Sequence, residues 1–153
     1  MNEQAIREAV VHRYPDTEVV EAMGDFFFFA CGQLDPDRRM PFATLVTSDP
    51  YERVARLDRP GVFRLNVGVT PETYRALFGE LPRGDGSAVV ETGHDFAALD
   101  QLMPHPTYAP MGWIGVLNPG AETLQTLWPL LDEAHARAAR RVRARANRRD
   151  SGA

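Results

Sequence analysis

The chain has 153 residues, 44% of them apolar and 25% charged, with a net charge of −4 at neutral pH. This is the composition of one globular domain large enough to build its own core. The longest apolar run, residues 26–31, is too short to span a bilayer, and the acid-bearing N-terminal segment does not read as a secretory leader. The single cysteine, Cys31, excludes an internal disulfide framework and fits a reducing cytosol, so a cytoplasmic protein is expected.

Residues 2–13 read as a helix, with Ala5, Ile6, Ala9 and Val10 on one face and Pro15 as the stop. Residues 17–23 and 26–30 read as strands joined through Gly24-Asp25, a two-residue hairpin signal. Four consecutive phenylalanines, Phe26 to Phe29, cannot share one face, so this strand is central or covered on both sides. Residues 32–40 are a polar, turn-rich loop, and residues 41–47 form a third strand. Asp49 and Pro50 suit the N-cap and first turn of a short helix through residue 57.

After the turn at Arg59-Pro60-Gly61 comes the clearest strand, residues 62–69. Phe63, Leu65, Val67 and Val69 occupy one face; Val62, Arg64, Asn66 and Gly68 occupy the other. Thr70 as cap and Pro71 at the first helical position predict a helix to Phe78, closed by Gly79. Residues 81–92 form a connector with a short strand at 88–91, and Asp95 caps a helical turn through residue 102. Pro104, Pro106 and Pro110 hold the next stretch extended.

Residues 112–118 are the last strand. Asn118-Pro119 is expected to cap a final helix whose seam is Leu124, Leu127, Leu131, Ala134, Ala138 and Val142. The order, hairpins first and no regular βαβ alternation, predicts an α+β two-layer sandwich. Its mainly antiparallel sheet would carry the N- and C-terminal helices on one face. Residues 1–146 form the single domain, and 147–153 a disordered, Arg-containing tail.

All 17 basic residues are arginine, as GC-rich codon usage favours, which rules out a lysine Schiff base or a P-loop lysine. Seven of them crowd into residues 137–153 against one acid, Asp150, so this segment carries +6 and residues 1–136 carry −10. A nucleic-acid-associated protein using this basic helix is one reading. The acidic body and the lack of aromatics after Trp128 disfavour it.

The segments PFATLVTSD, LDRPGVFRLNVGV and LDQLMPHPTYAPMGWIGVLNP, with the final helix, resemble an uncharacterised actinobacterial family marked by MPHPxYAPxxW. More distantly, the Trp-led strand at 113–117 and Leu130-Leu131 in the last helix are similar to the YjbR-like (MmcQ) group. That likeness implies a CyaY-like sandwich and, for some members, DNA binding.

Chemistry-bearing residues are few. His105 lies between two prolines, which fixes its backbone as a site residue needs. It reads either as a structural histidine bonded to a carbonyl, as a ligand contact, or as a general base oriented by Asp100. Neither the His-x-x-x-His nor the Cys-x-x-Cys spacing occurs, so no metal is expected, and no cofactor. Arg64 and Asn66 project from the same side of one strand, a fork of donors beside an amide that suits a carboxylate or phosphate. The alternative is a solvated face, or an acid pairing with Arg64.

Tyr108 and Trp113 read as pocket walls or as lids on the core. Arg53, Arg56 and Arg59, among Asp49, Glu52 and Asp58, read as a solvated helix face. Cys31 reads as buried and inert. The expected site is a cleft between strand 62–69 and the proline-rich loop, lined by Arg64, Asn66, His105, Tyr108 and Trp113. It would hold a small anionic ligand or a protein partner, with an enzyme using His105 as the alternative. Oligomeric state is not legible.

Overall fold

The computed structural model describes residues 1–30, 40–50 and 52–151, so Cys31 and most of the polar loop at 32–40 lie outside the described residues. In chain order the elements are α1 (Glu3–Arg13), β1 (Glu18–Ala22), β2 (Asp25–Phe29), β3 (Ala43–Val46), β4 (Arg64–Gly68), α2 (Pro71–Phe78), β5 (Met103–Pro104), a 3₁₀ turn (Ala109–Met111), β6 (Trp113–Leu117) and α3 (Ala121–Ser151). The strands form one six-stranded sheet in the order β1-β2-β3-β4-β6-β5. Every neighbouring pair is antiparallel. The protein is therefore an α+β sandwich with the first and last helices against the sheet.

Register decides which side chains meet. On the helix side, Phe26, Leu45, Leu65 and Val116 lie in one cross-strand row, and Phe28, Ala43, Val67 and Ile114 in the next. All eight are buried and form the core with Ile6 and Val10 of α1 and Leu124, Leu127, Leu131, Ala134 and Ala138 of α3. Burying such side chains against helices is the main source of stability in a two-layer fold. The period of two then commits the intervening residues to the opposite side. Val20, Phe27, Thr44, Asn66, Gly115 and Met103 make a row across all six strands, with Val46, Arg64 and Leu117 beside it.

The helix expected at residues 49–57 does not form. Arg53 and Arg56 both adopt φ of 54°, outside the helical region. The segment turns every third residue, with Arg56, Arg59 and Val62 N–H groups donating to the carbonyls of Arg53, Arg56 and Arg59. Arg59 is not on a solvated helix face. Its guanidinium donates to the carbonyls of Ala55, Arg56 and Ala97, supplying partners that helical bonds would otherwise have given.

Three further expectations change. Residues 88–91 form no strand, although the Val90 N–H donates to the Pro106 carbonyl at 2.8 Å. The turn capped by Asp95 stops within one turn, and the chain then pairs Leu99 with Leu117. Asn118 does not cap α3: its Oδ1 accepts from the Phe63 N–H and its Nδ2 donates to the Gly61 carbonyl, tying β4 to β6. Asp100 stands at the helix start instead, accepting from the Gly120 N–H at 2.7 Å. The helix α3 spans Ala121–Ser151.

The short edge strand β5 was not expected. It sits where a proline is tolerated, at a sheet margin. Gly112 then reverses the chain between the 3₁₀ turn and β6, with φ of 86°. A Cβ there would lie 2.6 Å from the Val69 carbonyl oxygen. Gly112→Ala should therefore destabilise the protein by at least about 2 kcal/mol, because both the positive φ and the close contact become strained. Urea unfolding of the variant against the parent checks this; an unchanged midpoint would show that the turn is not constrained as described.

Candidate ligand-binding site

The side of the sheet away from α1 and α3 carries a polar cluster centred on Arg64. Arg64 is only 3% exposed, an unusual position for a guanidinium. Its Nε donates to Asn66 Oδ1 at 2.8 Å, and its Nη2 to Glu52 Oε1 at 3.2 Å. Asn66 Nδ2 donates in turn to Thr44 Oγ1 at 3.0 Å, directly across the β3–β4 pairing. Room for this packing comes from β6: a Cβ on Gly115 would lie 2.8 Å from Asn66 Oδ1 and 3.1 Å from Arg64 Cδ. Burial pushes the Arg64 pKa down, and Glu52 opposes that shift. An arginine nevertheless keeps its charge. Its Nη1 is buried and has no hydrogen-bond partner among the described residues.

His105 reaches the same place from the other direction. Its N–H donates to the Trp113 carbonyl, extending the β5–β6 pairing by one residue. Its Nδ1 accepts from the backbone N–H groups of Thr107 and Tyr108, at 3.1 and 3.0 Å. That nitrogen therefore carries no proton, and in the neutral ring the proton sits on Nε2. Nε2 lies 3.4 Å from Arg64 Nη2. Both are donors, so this contact is not a hydrogen bond; Nη2 has Glu52 as its acceptor, and the His105 Nε2–H meets none among the described residues. Burial, then the charge of Arg64, pushes the His105 pKa down to about 2.

A cleft of about 850 Å³ opens over this cluster. Arg64, Asn66, His105, Tyr108 and Trp113 all line it, so the five residues expected to form one site are brought together. Tyr108 is 50% exposed at the rim, with its ring 4.8 Å from the His105 ring. Trp113 lies over Gly68 of β4. Asp100 is not brought in; its carboxylate is occupied at the start of α3. His94 lies edge-on to Phe78, and its Nδ1 meets Thr92 Oγ1. No group of three or more metal-ligating side chains occurs among the described residues.

The cleft also holds acids that sequence reasoning places on a solvated helix or in a hairpin turn. Asp25, Asp49 and Glu52 line it together with the guanidinium of Arg64, the one guanidinium among the described lining residues. Asp49 is 8% exposed, and its Oδ2 is buried without a partner among the described residues. Asp25 Oδ1 accepts from the Thr47 N–H. Glu52 could have been suspected as the acid that pairs with Arg64. Nothing in the sequence shows that the turn series brings Glu52 back over β4.

A family model matches residues 1–147, nearly the whole length of the chain. The chain belongs to DUF6194, a family of unknown function. No curated protein matches the sequence. Among solved structures, a structural-genomics crystal structure of a protein from Pseudomonas syringae is similar at a TM-score of 0.50 and 16% identity, covering 90% of this chain and 99% of that one. That similarity concerns the fold alone. No helix among the described residues is long and apolar enough to cross a membrane.

For this DUF6194 protein the ring state of His105 is directly observable. Because its folded pKa lies below the free value of 6.5, its neutral form favours folding above that pH. The contribution declines as pH falls from 6.5 toward about 2. Long-range ¹H–¹⁵N spectra should show the Nε2–H tautomer at pH 7.5 and no change down to pH 5. A titration of His105 with a midpoint near 6.5 would contradict the buried, donor-facing placement.

Proposed function

We propose that this protein is a cytoplasmic small-ligand-binding domain of YjbR-like type, and that its ligand presents an acceptor atom to Arg64 and His105. The observation that carries this reading is two donors at one place: His105 Nε2–H, which meets only the donor Arg64 Nη2 at 3.4 Å, and Arg64 Nη1, buried with no hydrogen-bond partner among the described residues. A buried donor without an acceptor costs about 1–3 kcal/mol. A carboxylate or carbonyl oxygen delivered into the cleft would relieve that cost. The apolar part of the ligand would lie against Trp113, Tyr108 and Phe27, which line the same cleft.

The enzyme reading, with His105 as general base, has no observation in its favour. The one ring nitrogen able to take a proton is Nδ1, and two backbone N–H groups already occupy it. Binding, rather than proton abstraction, is what the ring's donor edge suits.

Benzoate and benzamide, with toluene as the apolar control, test the acceptor requirement by protein NMR. Benzoate or benzamide should move the Arg64 Nε–H and His105 Nε2–H resonances, and toluene should leave both in place. Arg64→Gln should weaken binding by about 10-fold or more, the worth of one charge-assisted hydrogen bond. Binding that leaves both resonances unmoved, or no binding by either acceptor-bearing probe, would count against the reading.

A further inference from the structure

The acceptor site at Arg64 and His105 does not account for the acids of the cleft. Glu52 already bonds to Arg64, so that pair is internally neutral. Asp49 is then left over: it is nine-tenths buried, it lines the cleft, and its Oδ2 has no partner among the described residues. No ion pair joins Asp49 to Arg64 among the described residues, although Asp49 is near enough to act on the guanidinium charge. Asp49, Arg64 and His105 thus line one hollow, the first with an unpartnered acceptor, the second with an unpartnered Nη1 donor, and the third with an Nε2–H that meets only another donor. With Asp25 also in the wall, the described lining residues carry a negative formal charge. A simple anion would meet uncompensated carboxylates, and a simple cation would meet the paired donors.

We propose that the ligand is a small zwitterion, an amino-carboxylate whose carboxylate sits on the Arg64 and His105 donors and whose ammonium sits on Asp49. The side group of such a ligand lies against the apolar wall that Trp113 and Met111 supply. The zwitterion deepens the acceptor-binding function and rests on it. Each charged end meets its complement, and the molecule adds no net charge to the negative set of described lining residues.

Calorimetric titration with L-phenylalanine, 3-phenylpropionate and 2-phenylethylamine separates the two ideas, since the three share one ring and differ in charged groups. L-Phenylalanine should bind at least 10-fold more tightly than either of the others. Asp49→Asn should reduce its affinity to that of 3-phenylpropionate without weakening 3-phenylpropionate itself. If 3-phenylpropionate binds the parent as tightly as L-phenylalanine, the zwitterion is overturned and the acceptor site stands. If none of the three binds while benzoate or benzamide does, the zwitterion is likewise overturned alone. If no probe of either set binds, both ideas fall. Should Asp49→Asn not fold, the ranking of the three ligands on the parent protein decides the matter by itself.

Discussion

A charged guanidinium held under the sheet is the constraint around which this protein's second face is arranged. Taking Arg64 out of water is costly unless its donors are met by acceptors at close range. The structure supplies Asn66 from the same strand and Glu52 from the turns after β3. Each supplier is itself constrained: Asn66 is held by Thr44 on the neighbouring strand, and Gly115 must lack a side chain for the pair to fit. The irregular turns at residues 52–61 obey the same logic. A straight helix there would not need Arg59 to gather three carbonyls, as the turning chain does while it carries Glu52 back over β4.

Much of the sandwich was readable because burial periodicity is a local property. Phe63, Leu65, Val67 and Val69 alternate with Arg64, Asn66 and Gly68, and the structure keeps that partition. The Thr70-Pro71 start and the Gly79 stop of α2 were equally legible, since capping depends on a few adjacent residues. The failures share a cause. Asp49-Pro50 looks like a helix start, but the path of residues 52–61 is decided by the distant Ala97 acceptor for Arg59 and by Arg53, Arg56 and Gly61 at positive φ. Asn118 looks like a cap, yet its amide is used across the sheet by Phe63 and Gly61. Long-range bonds of 38 to 57 residues overrode local signals in both places.

The site shows the same division. That Arg64 and Asn66 point together is a consequence of strand geometry. That His105 meets them depends on β5 pairing with β6, and a two-residue strand leaves little trace in the sequence. The prolines around His105 were the usable clue, because they keep the segment extended enough to pair. What could not be read was polarity of function within the ring. Only the bonds from Thr107 and Tyr108 to Nδ1 reveal that the free edge is a donor.

Two backbone N–H groups on one imidazole nitrogen have an electrostatic consequence for the whole cleft. They hold the ring neutral and fix its tautomer, so His105 meets Arg64 as a dipole and not as a second cation. A protonated ring 3.4 Å from a guanidinium would be strongly repelled, which adds to burial in lowering the His105 pKa to about 2. The neutral ring instead adds its N–H to the positive edge that Arg64 begins. This edge is held by backbone hydrogen bonds and by packing, the kind of preorganisation from which binding sites in general gain affinity. Carboxylates of Asp25, Asp49 and Glu52 lie on the same wall. Groups of both signs thus share one cleft wall, on a sheet face that the hydrophobic core on the other side holds in register.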